Sequence, residues 1–201
     1  MKKIKLIHME KSNGIKLNCA VFISGAGTNF NSILKNSLKK NFPVKVSLLI
    51  SNNKKALGLN YAKKNNINFK IINSKKTSLF EKKALKILKL NNIKLICLAG
   101  FMKILSKNFI KKFKYKILNI HPSLLPKYKG LNTHKRAIEN KEKYSGCTVH
   151  YVTSKFDSGK IISQKKVKIN KKDSPNTLQK KILKQEHILY PETIKKIFKL
   201  N

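Results

Sequence analysis

Short apolar runs rich in β-branched residues alternate along the chain with stretches whose apolar positions recur every three to four residues. Residues 17–24, 44–51, 69–72, 95–99 and 117–120 read as five strands; helical patterns fall at about 30–38 and 56–64, from Ser78 through Leu88, and at about 106–113. The run at 95–99 is wholly apolar, as a central parallel strand buried on both faces should be. Ser78 and Glu81 form a capping-box pattern ahead of Leu79, Ala84, Leu85 and Leu88. Strands alternating with helices in this order predict an α/β fold, a mainly parallel twisted sheet with helices on both faces.

After the fifth strand the pattern changes. Residues 121–130 carry two prolines and a glycine and read as a long ordered loop. A helix at about 133–140 follows, then strands at 148–152 and 161–167, joined by a connection holding Asp157-Ser158-Gly159. Ser174-Pro175 opens a final helix in N-cap and N1 order, which Pro191 should end or kink. No internal repeat or Pro/Ser-rich linker interrupts the chain, so residues 1–201 are expected to form a single domain.

Taken alone, the charge points toward polyanions. Lys and Arg number 46 against 8 Asp and Glu, a formal charge of +38 over 201 residues. Yet Arg136 is the only arginine, and Lys, Ile and Asn fill 91 positions. Arginine is the better fork for phosphates and bases, and the lysines are spread along the whole length. The charge therefore reads as compositional, and no specific nucleic acid is expected as a partner. Cys19, Cys97 and Cys147 are odd in number, far apart and without metal-ligand spacing. Buried reduced thiols in a cytoplasmic protein are the expectation. The basic start has no apolar core of signal-peptide length, and no run is long enough to span a membrane.

Three segments carry candidate chemistry. Ser24-Gly25-Ala26-Gly27-Thr28-Asn29 ends the first strand, where a Gly-rich turn offers free N–H groups to an anion. Phe30 replaces the third glycine of a dinucleotide fingerprint, and the lysine of a P-loop is missing. The turn is then either a small phosphate site or simply a tight strand-to-helix turn. In the second segment, residues 119–126, alternation points Asn119 and His121 to one side of the sheet at a strand's carboxyl end. An amide beside an imidazole suits oxyanion stabilisation and proton transfer; a histidine merely closing a strand is the alternative. Asp157 is one of two aspartates and, unlike Asp173, begins no helix. A nearby carboxylate would orient a histidine and favour its charged form; an Asx-type turn is the alternative. His134, His150 and His187 read as structural, no histidine has zinc spacing, and no serine or cysteine sits in a nucleophile context.

Taken together, residues 98–105, 119–130, 146–150 and 157–159, with 23–29 before them and 185–187 after, resemble the phosphoribosylglycinamide formyltransferase family. The motifs agree in order and spacing over about residues 19–198. The resemblance implies a Rossmann-like formyltransferase fold. It also implies transfer of the formyl group of 10-formyltetrahydrofolate, a co-substrate, to the amine of glycinamide ribonucleotide in purine biosynthesis, without a metal. By matching, Asn119, His121 and Asp157 take the catalytic positions, and Gly27, Thr28, Asn29 and Glu186 the phosphate and ribose positions. Met102, Lys103, Ile104, Leu105, Asn119, Thr153, Phe156 and Asp157 take the folate positions. The chain departs from the family in having Leu183 where a polar phosphate partner is frequent, Lys103 where arginine is common, and an N-terminal extension over residues 1–16.

Methionyl-tRNA formyltransferase resembles the chain in its Ser-Leu-Leu-Pro loop, but is expected to carry a further tRNA-binding domain. The formyltetrahydrofolate hydrolases share the catalytic residues, but usually with a regulatory domain in front. A basic nucleic-acid-binding protein on this scaffold is the reading from a different class.

Overall fold

The computed structural model describes residues 16–198. The N-terminal extension therefore lies outside the described residues except for Lys16, whose ammonium donates to the carbonyls of Ser37 and Lys39. Seven strands and six helices follow in the order β1 (Leu17–Ile23), α1 (Thr28–Ser37), β2 (Val44–Ser51), α2 (Leu59–Lys64), β3 (Phe69–Ile71), α3 (Thr77–Leu90), β4 (Leu95–Leu98), α4 (Lys107–Phe113), β5 (Lys116–His121), α5 (Thr133–Glu139), β6 (Tyr144–Tyr151), β7 (Ile161–Lys168) and α6 (Pro175–Phe198).

The strands form one sheet in the order β3-β2-β1-β4-β5-β6-β7. The first five run parallel, β6 runs antiparallel to β5, and β7 antiparallel to β6. Alternation along the central strands divides the core in two. Cys19, Val21 and Ile23 face α1, α2 and α6, whereas Ala20 and Phe22 face α3 and α4. The central stretches of such strands need apolar residues on both faces, which is why Cys19–Ile23 of β1 and the whole of β4 read as unbroken apolar runs. The edge strand β7 is different: its lysines are exposed, a composition that discourages further strand pairing.

Several elements differ from the expectation, each for a local reason. β6 begins at Tyr144, four residues early, because Gly146 lies flat against the backbone of Lys165 and hides the strand signal. α2 starts only at Leu59, after Gly58. Glu81 does not cap its own helix: it is buried and accepts from the backbone N–H and hydroxyl of Ser106, the N-cap of α4. It ties α3 to α4 instead.

Nor does Pro191 end the last helix, which continues to Phe198. A helical proline leaves the carbonyl four residues back without its donor. Here that carbonyl is His187's, and the Ser32 hydroxyl donates to it at 2.6 Å. Next to the proline, fully buried Tyr190 donates its hydroxyl to the carbonyls of Leu98 and Leu118, both at 3.1 Å. α6 is thereby fixed to α1, β4 and β5 at once.

Candidate functional site

The strand order reverses between β1 and β4, and ligands of open α/β sheets bind at the carboxyl ends of strands beside such a point. Ser24 gathers the strand ends here. Its hydroxyl donates to Asn52 and accepts from the N–H of Met102, while its carbonyl accepts from the Asn53 amide. Gly27 follows as the N-cap of α1, with φ 69° and no capping side chain. The first N–H groups of the helix are left without intrahelical partners, and no acidic residue stands in the first turn.

A residue outside the expected set, Gly58, shapes this turn. Its N–H donates to the Gly25 carbonyl at 3.1 Å. A Cβ on Gly58 would come within 2.9 Å of the Gly27 Cα and 2.5 Å of Ile23 Cδ1. Two glycines therefore let two backbones touch, and nothing in the local sequence around Gly58 signals it. Gly58→Ala is expected to lower stability by about 1–3 kcal/mol, the usual cost of overpacking, as a thermal-unfolding comparison would read; an unchanged midpoint would show that the contact is loose.

Asn29, in the first turn of α1, is buried and donates its amide to Glu186 Oε2 at 2.6 Å. Its Oδ1 has no protein partner. Burial pushes the Glu186 carboxyl above its ordinary range, and the Asn29 hydrogen bond opposes this only in part. The residues matched to phosphate and ribose thus meet, although 157 positions separate this pair. Leu183 lies one turn earlier on α6, half-buried.

The second cluster is built on β5, β6 and two loops. Asn119 and His121 do project to one side, and Asn119 is the register partner of His150. The connection after β6 starts level with Ile117, whose carbonyl accepts from Val152 N–H. It then folds back so that Asp157 Oδ2 lies 3.3 Å from His121 Nδ1 and accepts from Gly130 N–H at 3.0 Å. Asp157 is buried and holds φ 41°, a left-handed conformation rare for a residue with a side chain. Gly159, two residues on, packs against the Tyr151 carbonyl where a Cβ has no room. This glycine keeps the connection close enough for Asp157 to reach the sheet.

Hydrogen-bond accounting fixes the ring states. His121 Nε2 is 2.9 Å from the Tyr128 carbonyl, which can only accept, so Nε2 carries a proton. The Asp157 carboxylate faces the ring's other nitrogen, Nδ1, so both ring nitrogens of His121 are held in place. His150 is the opposite case. Its Nδ1 donates to the Tyr151 carbonyl at 2.8 Å, which leaves Nε2 to accept from the Asn119 amide at 3.2 Å. Burial holds the His150 pKa below its ordinary value, more strongly than nearby Asp157 raises it. At 3.7 Å, the Asp157 oxygen beside His150 Nε2 is not a hydrogen-bond partner. A neutral His150 thereby sets which way the Asn119 amide points, leaving its second N–H for the crevice. This corrects the structural reading of His150; its register opposite Asn119 could have revealed it, had the start of β6 been legible.

His134, at the start of α5, has a buried Nε2 without a partner, and burial and then His121 lower its pKa. His187 Nε2 is likewise buried and unpartnered. The three thiols are buried and free, and burial pushes Cys147 up to about 12, so none is poised as a nucleophile. Among the described residues no three His, Cys, Asp or Glu side chains gather as a metal-ligand set. No described helix is long and apolar enough to cross a membrane.

The residues matched to folate are divided. Met102, Ile104 and Phe156 expose 68%, 61% and 50% of their surfaces. Phe156 lies against Gly130. Lys103 is half-buried and Thr153 exposed. Leu105, in contrast, is buried in the core beneath the sheet with Ile96 and Phe109, so it shapes the loop from below.

Comparison with known proteins agrees with this geometry. The formyl transferase family model matches residues 17–194. A phosphoribosylglycinamide formyltransferase of Haemophilus influenzae is 43% identical over 179 residues, 88% of this chain and 84% of that protein. The trifunctional purine biosynthetic protein adenosine-3 of Gallus gallus is 38% identical over 182 residues, 89% of this chain; the match spans only 18% of that protein's length. A solved phosphoribosylglycinamide formyltransferase from Coxiella burnetii superposes with a TM-score of 0.83 at 40% identity, over 90% of this chain and 86% of that one.

Proposed function

Because the chain belongs to the phosphoribosylglycinamide formyltransferase family of formyl transferases, we propose that it moves a formyl group from 10-formyltetrahydrofolate to the amine of glycinamide ribonucleotide. The observation that carries this reading is the contact of His121 with Asp157, beside an Asn119 amide oriented by His150. The Gly27–Asn29 turn with Glu186 supplies the phosphate and ribose ends, and exposed Met102, Ile104 and Phe156 suit the flat aromatic faces of a folate. The three buried thiols accord with action in the reducing cytoplasm.

The folate supplies the activated formyl carbon. The chain's own residues position the neutral amine against it and stabilise the charge that develops on the formyl oxygen. Asn119 donates its free N–H to that oxygen, and the His121 ring lies beside it. Asp157 holds the ring's plane through its contact with Nδ1. As the amine nitrogen becomes positive, its proton leaves through the polar edge of the crevice at Asp157, and the folate nitrogen regains one when the C–N bond breaks.

The test is direct. Purified protein is mixed with 10-formyltetrahydrofolate, with and without glycinamide ribonucleotide, and deformylation is followed. Amine-dependent turnover supports the proposal; equal turnover without the amine would favour a hydrolase. One departure yields its own prediction. Leu183 stands one helical turn before Glu186, on the same side of α6, whereas the Lys184 side chain points about 100° away. Leu183→Gln is expected to lower the KM for the ribonucleotide severalfold by adding an amide donor at the phosphate. An unchanged KM would mean that another lysine already fills this role.

A further inference from the structure

In a chain where lysine fills 45 of 46 basic positions, the single arginine grips the backbone between the two central acid–base groups. Arg136 Nη1 donates to the Lys129 carbonyl at 2.7 Å and lies 3.5 Å from the Leu131 carbonyl. Its guanidinium carbon is 5.1 Å from the centre of the Tyr128 ring, within cation–π range. One side chain thus touches three residues of a four-residue loop.

That loop meets both groups. Tyr128 offers its carbonyl to His121 Nε2 and Gly130 its N–H to Asp157 Oδ2. Its backbone does not rest in an easy conformation: Tyr128, Gly130 and Asn132 have φ of 55°, 83° and 57°. Non-glycine residues hold such angles only where their surroundings over-determine them. A second restraint comes from Glu142, whose Oε1 accepts from the Tyr128 hydroxyl at 2.9 Å and from Lys127 at 2.8 Å. Burial, then this carboxylate, raise the Tyr128 phenol's pKa, and the two hydrogen bonds lower that of Glu142, so the donor and acceptor persist at neutral pH.

We propose that Arg136 is a positioning residue for formyl transfer: it holds the 128–131 loop so that the Tyr128 carbonyl and Gly130 N–H align His121 and Asp157. It acts through that loop and touches none of the reacting atoms. Lysine is a poorer substitute, since its ammonium is a point charge without the planar guanidinium face that can lie over the Tyr128 ring while donating to the Lys129 carbonyl. The assignment rests on the formyl-transfer reading for its kinetic consequence, but not for its structural one.

Arg136→Lys and Arg136→Ala in the full chain test it by two readouts. The kinetic expectation for both is a kcat at least tenfold lower, with the ribonucleotide KM within twofold, because the phosphate turn lies on β1. Methylguanidinium added to the alanine variant should restore part of kcat. The second readout is the His121 Nε2 proton resonance in histidine-labelled protein. It should be sharp and downfield in the wild type, and shifted or lost in both variants while the rest of the spectrum stays folded. Wild-type kcat in the lysine variant, or an unmoved His121 resonance in both variants, would overturn the proposal. So would a loss of thermal stability with the His121 signal intact. If the wild type transferred no formyl group, the functional reading would fail, and the resonance alone would still decide whether Arg136 sets the His121 environment.

Discussion

Replacing Asp157 with asparagine is expected to lower kcat about a hundredfold or more, the scale on which acid–base assistance is lost. The substitution keeps size and planarity, and its amide oxygen can still accept from Gly130 N–H. What disappears is the negative charge 3.3 Å from His121 Nδ1. The ring then loses the charged partner that orients it and that would stabilise a proton reaching it during the reaction. An imidazole without that partner gives weaker help to a developing oxyanion and to proton movement. The ribonucleotide KM should change little, since the proposed phosphate site is the Gly27–Asn29 turn; a modest rise in the folate KM is expected because Phe156 adjoins the substitution. Steady-state kinetics with both substrates decide the matter. A variant with near wild-type kcat would reduce Asp157 to a turn residue.

Glu186→Gln should have opposite effects on binding and stability. In the free protein Glu186 accepts one hydrogen bond from Asn29 and leaves Asn29 Oδ1 unsatisfied. Glutamine can accept the same bond and return an N–H to that oxygen, pairing both amides without a buried charge. Ribose hydroxyls, however, lose a charged acceptor worth about 1.5–3 kcal/mol, so the ribonucleotide KM should rise about ten- to a hundredfold. The pH dependence of stability separates the two enzymes as well. The folded-state pKa of Glu186 is raised, so its stabilising contribution is complete below the ordinary carboxylate range and is lost as pH rises through the raised value. Glutamine has no such loss. Melting temperatures across that window should therefore favour the variant increasingly towards neutral pH, and parallel curves would refute the buried-charge account.

Much of this was legible in the residues because parallel strands have strict demands. The buried parts of β1 and β4 must be apolar on both faces, and their runs stand out; so does the Gly27 turn, where a helix follows a strand without a capping side chain. Asn119 and His121 share a face because strand periodicity is two. What stayed hidden depends on contacts between distant segments. His150 looked structural because its role lies in being opposite Asn119, and the register follows from the early start of β6. Glu81 matched a local cap but bonds Ser106 on another helix. Gly58 matters only because Gly27 crosses it. Pro191 should break a helix, yet a hydroxyl 159 residues away, at Ser32, takes up the freed carbonyl. Periodicity reports on a segment's own surface, not on which remote backbone comes to rest against it.

The anchoring of α6 also bears on how the molecule is made. Its buried face, from Leu178 to Ile194, covers the side of the sheet carrying Cys19, Val21 and Ile23, yet it is synthesised after all seven strands. While the ribosome is still extending it, that apolar face has only α1, α2 and α5 to shield it, and such surfaces invite association with other chains. The helix that covers it also delivers Glu186 to Asn29 and Tyr190 to the ends of β4 and β5. A nascent chain can therefore pair Asn29 with Glu186, at the proposed ribose site, only in the step that buries this apolar face, so the site is completed as the sheet is covered.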